Sequence, residues 1–126
     1  MEFKQKYTFE TRSAEASRIR EKFPGRIPVI IERAAKDKML PHIDKNKFLV
    51  PADLTMGQFI FVIRKRISLS SDKALFVFCN NSLPTTGSLM RELYGSHGDH
   101  DGFLYMTYCG ENTFGSILYK CEYSRG

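Results

Sequence analysis

The residues best suited to chemistry fall in three places. His97-Gly-Asp-His100, with Asp101, sets two imidazoles and two carboxylates close together, an arrangement that could ligate a metal. A solvated turn uses the same residue types, and no second ligand cluster accompanies them. Asp99 and Asp101 are too loosely placed to suggest an acid–base pair. Cys79, Cys109 and Cys121 are odd in number and widely spaced, which fits neither a disulfide framework nor a zinc ribbon. Cys79 ends the apolar run Ala74-Leu-Phe-Val-Phe78 and reads as a small buried side chain. A thiol enzyme using Cys79 or Cys109 is the remaining catalytic reading, but no nucleophile motif marks any Ser or Cys, and no glycine-rich phosphate loop follows a strand. Neither an enzymatic activity nor a metal or cofactor is expected. The third place is the end of the chain, where Phe114-Gly115 is followed by Ser116 to Gly126. Such a tail is either inert or a protecting piece whose removal exposes a reactive terminus.

With 126 residues, 42% hydrophobic and 26% charged, the chain fits one ordinary globular domain. A domain of this size buries roughly two-thirds of its unfolded surface and needs no staples. No stretch is long and apolar enough to cross a bilayer, and Met1-Glu-Phe-Lys lacks a signal-peptide core, so a cytosolic protein is expected. The net charge of +5 favours acidic partners. Lys36, Lys38, Lys45, Lys47 and Arg64-Lys-Arg66 could meet phosphates. Nothing resembles a stacking-aromatic RNA motif, however, and no nucleic acid is expected.

The elements that must position these residues follow from periodicity. Thr11 to Phe23 reads as a weakly amphipathic helix closed by Pro24-Gly25; Phe3 to Phe9 is either a second small helix or an arm. Ile27-Pro-Val-Ile-Ile-Glu-Arg33 and Asn46-Lys-Phe-Leu-Val50 read as strands, antiparallel across a polar loop from Ala34 to Lys45. Pro28 is tolerable near a strand start and awkward at a strand centre. Thr55-Met-Gly-Gln58 is a capping box, behind which Met56, Phe59, Ile60, Ile63 and Ile67 recur at helical spacing. Ala74 to Cys79 is a third strand, Ser88 to Tyr94 a short helix with Leu89 and Leu93 inward, Gly95 to Gly102 a polar turn, and Phe103 to Tyr108 a fourth strand. The expected fold is α+β: a ubiquitin-like β-grasp with a four-stranded mixed sheet. In the second strand, alternation puts Phe48 and Val50 on one face and Lys47 and Leu49 on the other. At a sheet edge such a strand could accept a peptide as a further strand; in a plain hairpin it only contributes Phe48 to the core.

Several segments also carry a resemblance. Pro28-Val-Ile-Ile-Glu32, Asp44-Lys-Asn-Lys-Phe-Leu-Val-Pro51, Asp53-Leu-Thr-Met-Gly-Gln-Phe59, Arg64-Lys-Arg66, and Asp101-Gly-Phe-Leu-Tyr-Met106 through Phe114-Gly115 occur together and in order. They resemble the autophagy ubiquitin-like modifiers, the family of the microtubule-associated light chains and the GABA-receptor-associated proteins. Ala14 to Lys22 and Gly110 to Gly115 look like the plant-type members. The similarity runs from about Phe9 to Gly115.

The resemblance implies two added N-terminal helices and a peptide groove along the second strand. One pocket, for an aromatic side chain, would use Glu15, Ile19, Pro28, Ile30, Lys47, Leu49 and Phe103. The other, for an aliphatic one, would use Phe48, Val50, Pro51, Leu54, Phe59 and Val62. Lys45, Lys47 and Arg66 would meet acidic residues flanking the partner's motif. It implies that a cysteine protease trims the tail after Gly115, and that activating and conjugating enzymes pass the new carboxylate to phosphatidylethanolamine. The protein would then bring receptors with aromatic-x-x-aliphatic motifs to autophagosomal membranes. Tubulin is a further candidate partner. Gly126 also ends the chain as a glycine, but Gly115 follows an aromatic residue just past the last strand and is taken as the reactive one. The implied organisation is a helical extension over residues 1–24, a core over 25–110, an arm over 111–115 and a removable piece over 116–126. The alternative is a trafficking or cytoskeletal adaptor that uses the groove without lipid.

Overall fold

The computed structural model of the chain describes residues 1–110. Its elements are α1 Glu2–Lys6, α2 Phe9–Lys22, β1 Arg26–Arg33, β2 Lys47–Pro51, α3 Met56–Arg66, β3 Phe76–Cys79, α4 Met90–His97 and β4 Leu104–Cys109. The strands form one sheet in the order β2-β1-β4-β3. β1 runs antiparallel to β2 and parallel to β4, and β3 runs antiparallel to β4. This is the expected ubiquitin-like β-grasp, with two helices placed before β1.

Local chemistry sets the helix ends. The Thr55 hydroxyl accepts from Gln58 N at 3.1 Å, and the Gln58 side chain accepts from Thr55 N at 2.9 Å, so the capping box forms as read. α2 starts at Phe9, earlier than the expected Thr11. Thr8 is its cap, and Thr11 supplies the N–H that the Thr8 hydroxyl accepts. α4 also differs from expectation. It continues through Gly95 to His97, so the first residues of the supposed polar turn are helical. Glu92 caps Leu89 N at 2.8 Å, and Met90 and Leu93 are the residues turned inward, with Leu89 half-buried at the cap.

β1 is covered on both faces. Ile27, Val29 and Ile31 join Phe48, Val50, Leu104, Met106 and Tyr108 under α3 and α4, where Met56, Phe59, Ile63 and Met90 have no exposed surface. On the other face Ile30, Phe103 and Tyr105 pack with Phe3 and Ala16 of the N-terminal helices. Two buried faces explain the unbroken apolar run of β1. They also explain Pro28 in a central strand. Ile31 N donates to Asn46 O, so odd-numbered residues of β1 bond toward β2 and even-numbered ones toward β4. The donor missing at Pro28 faces β4, whose pairing begins one residue later, at Val29–Leu104.

The N-terminal helices are fixed by charge as well as apolar contact. Both Glu32 carboxylate oxygens accept backbone N–H groups of α1, from Glu2 and Phe3, at 2.9 Å each. Arg12 of α2 donates to Asp101 Oδ2 at 2.9 Å, Tyr105 OH donates to the same oxygen, and Phe103 N donates to Oδ1 at 2.9 Å. Arg12 is 9% exposed and Asp101 1%. Removing one partner of such a pair leaves a buried charge unmatched. Arg12→Ala should therefore cost about 3–5 kcal/mol in chemical unfolding, well beyond a surface ion pair.

Candidate functional site

β2 is an edge strand, and the alternation read from the sequence holds. Phe48 and Val50 are buried on the α3 face, while Lys47 and Leu49 are half-buried on the α2 face. The pairing parity turns the N–H and C=O groups of Lys47 and Leu49 outward, away from β1. Among the described residues no strand adds to this side. The guanidinium of Arg26 reaches round the edge to the Leu49 carbonyl at 3.2 Å, an edge contact that sequence pattern gave no sign of.

On the α2 face the expected residues of the first pocket come together. Leu49 pairs with Pro28 and Lys47 with Ile30 across the ladder. Ile19 packs on the cluster that holds Ile30 and Phe103, and Lys47 forms an ion pair with Glu15. Ile30 and Phe103 have no exposed surface and Pro28 is buried, so they lie beneath Leu49, Ile19 and the Glu15–Lys47 pair. Phe3 sits among them, its ring 5.4 Å from that of Phe103 and under Lys47 Nζ at 5.6 Å. Sequence reasoning missed Phe3, because only the tertiary fold brings α1 here. A cleft of about 920 Å³ opens beside this face, between α1 and the β1–β2 loop, and shares Lys47 with it.

On the α3 face Phe48, Val50, Leu54 and Phe59 belong to one apolar cluster, with the Phe48 and Phe59 rings edge to face at 6.0 Å. Phe59 is closed off, Pro51 is half-buried, and Val62 is 40% exposed one turn along α3. Lys45 Nζ stands 5.3 Å over the Phe48 ring, and Arg66 Nε lies 3.2 Å from Asp44 in an exposed pair. Lys45 and Arg66 are exposed and Lys47 half-buried, so cations flank the apolar floor on both faces.

The remaining candidates are engaged or closed. Asp101 is taken up by Arg12, Tyr105 and Phe103 N, and Asp99 pairs with Lys4 at 2.6 Å. His97 ends α4, and His100 is exposed. Among the described residues no three of His, Cys, Asp and Glu gather as metal donors. Cys79 and Cys109 are buried, and burial pushes the Cys79 thiol up to about 12, which leaves little thiolate at neutral pH. Cys121 and Gly115 lie outside the described residues. Among the described residues no helix is long and apolar enough to cross a membrane.

The chain leaves the described core at Gly110 through a built contact. Asp37, fully buried in the β1–β2 loop, accepts from Met39 N at 2.6 Å and Leu40 N at 3.0 Å through Oδ1, and from Gly110 N at 2.6 Å through Oδ2. Burial opposes its charge, but the bonds from Leu40, Gly110 and Met39 and the nearby Arg33 outweigh this and hold the carboxyl below its usual range. A lowered carboxyl stabilises the fold above its unfolded pKa of about 3.9, and that contribution is lost as pH falls through the lower folded value. Chemical unfolding should therefore show wild type more stable than Asp37→Asn by a constant margin above about pH 5, and by a shrinking one in acid.

Comparison with known proteins bears on both the sequence and the fold. The family described as "Autophagy protein Atg8 ubiquitin like" matches residues 11–115. Autophagy-related protein 8e of Arabidopsis thaliana is 61% identical over 114 residues, covering 90% of this chain and 93% of that protein. Autophagy-related protein 8 of Candida glabrata is 61% identical over 113 residues, covering 90% and 95%. The crystal structure of Trypanosoma brucei ATG8 superposes with a TM-score of 0.84 at 42% identity, covering 88% of this chain and 95% of that one. Agreement of sequence and fold over nearly the whole length makes this chain a member of the Atg8 family of autophagy ubiquitin-like proteins.

Proposed function

We propose that this chain is an autophagy modifier that is trimmed after Gly115, joined there to phosphatidylethanolamine, and then gathers receptors along β2. The observation that carries the reading is the β2 edge, where the backbone groups of Lys47 and Leu49 turn outward, the Leu49 carbonyl also reached by Arg26, while Phe48 and Leu49 point to opposite faces. An extended receptor segment pairs with those groups as an added strand. Its aromatic residue settles against Leu49, Ile19, Pro28 and the Ile30–Phe103 floor, and its aliphatic residue against Phe48, Val50, Pro51, Leu54, Phe59 and Val62. Buried anchors supply most of the affinity, and Lys45, Lys47 and Arg66 steer acidic flanks into place.

The tail supplies the membrane link. Hydrolysis by a cysteine protease after Gly115 would free a carboxylate with no Cβ beside it. That is a form that threads narrow enzyme clefts and leaves the carbonyl open to an attacking thiolate or amine. An activating enzyme couples it to a nucleoside triphosphate, giving an acyl nucleotide and diphosphate; an enzyme thiolate displaces the nucleotide to form a thioester, which passes by exchange to the conjugating enzyme, and the lipid amine then displaces that thiol to form an amide. The two acyl chains then hold a protein of the cytoplasm stably on the autophagosomal membrane.

Titration calorimetry with an aromatic-x-x-aliphatic peptide tests the groove. Leu49→Ala should weaken binding about fivefold or more, and an unchanged affinity removes the assignment. Intact mass from cells with the processing machinery tests the tail. Wild type should lose residues 116–126 and gain lipid, whereas Gly115→Ala should keep its tail. If both stay full-length and free of lipid, the unlipidated adaptor takes its place.

A further inference from the structure

A carboxylate that is fully buried must have all its oxygens matched, and Asp37 matches them in two directions. The turn of its own loop needs only Oδ1, which takes the N–H groups of Met39 and Leu40. Oδ2 is aimed elsewhere, at Gly110 N, 73 positions further along the chain. Other contacts bind the same loop to the same strand end. Ala34 N donates to Tyr108 O at 2.8 Å and Tyr108 OH donates to Pro41 O at 2.6 Å, while Arg33, at the end of β1, holds the Leu40 carbonyl in place at 2.6 Å. The buried Leu40 side chain lies against Gly110, where an added Cβ would come within 3.3 Å of Leu40 Cγ. The β1–β2 loop thus forms a collar around the place where the chain leaves β4.

We propose that Asp37 is a positioning residue for tail chemistry: by holding Gly110 it fixes the origin and heading of the segment that carries Gly115 to the trimming and transfer enzymes. This rests on the reading of Gly115 as the processed residue. Four residues separate Gly110 from Gly115, and the five steps between them reach at most roughly 17 Å. Over so short a leash, the direction at its origin decides whether an enzyme docked on the folded body finds the scissile bond in its cleft. Without the Asp37 bond the Gly110 backbone is held less closely and must be ordered again at each encounter, which lowers productive docking on the order of tenfold.

The test follows trimming of the purified full chain by intact mass, in a cell extract that contains the protease. Asp37→Asn keeps Oδ1 for the loop and sets an amide N–H₂ against Gly110 N–H. Asp37→Ser keeps a turn acceptor and is too short to reach Gly110, so it serves if the first variant does not fold. Peptide binding at the β2 groove reports folding. The expected result is groove affinity as in wild type with kcat/KM for tail removal down about tenfold. A second arm inserts Gly-Ser-Gly-Ser after Gly110 in wild type and variant alike. If Asp37 acts through the exit direction, the longer leash removes the difference between them; if it acts only through stability, the difference persists and the proposal falls. Trimming of both Asp37 variants at the wild-type rate also overturns it, while the processing of Gly115 stands. Wild type that is never cut after Gly115 removes instead the reading on which the clamp depends.

Discussion

β1 has neither a free face nor a free edge, and this constraint governs the rest of the molecule. Two strands flank it, α3 and α4 cover one side, and α1 and α2 cover the other. Every backbone group of such a strand must be matched inside the protein. Backbone left open for a partner can then lie only at the sheet margins. β2 is one of them, and its side chains alternate between two apolar clusters because β1 feeds both. The open margin at β2 follows from the packing of the strand beside it.

Much of this was legible in the sequence. The β-branched run of β1, the capping box at Thr55 and the alternation across Lys47 to Val50 are local signals, and each reappears in the structure. The pocket residues were legible only through the family resemblance, because Glu15, Ile19 and Phe103 come from three separate segments. The structure gathers Phe48, Val50, Leu54 and Phe59 in one cluster and Ile19, Ile30 and Phe103 in another, and closes Ile30, Phe59 and Phe103 off from solvent.

What could not be read depends on distant partners. Glu32 organises α1 from a neighbouring strand, and Asp37 reaches an exit far along the chain. Asp37 stands among Lys36, Lys38 and Met39 in a segment that looks like solvated loop. Asp101 read as part of a solvated turn, with metal ligation as the rival reading, and is instead the buried acceptor for Arg12. The same carboxylate chemistry serves either role, and only the approach of α2 decides between them. The extension of α4 through Gly95 was hidden for a simpler reason: a glycine within a polar stretch reads as a turn, yet this one faces open space and leaves the helix undisturbed.

The parallel pairing of β1 with β4 has a mechanical consequence. The described chain leaves the core from β4, an inner strand held by ladders on both flanks, and the open margin is β2, on the far side of β1. A load applied between that exit and a partner gripped at β2 crosses two ladders lengthwise, so their bonds share it in shear instead of opening one after another. The sheet is laid out to carry tension between Gly110 and whatever holds β2.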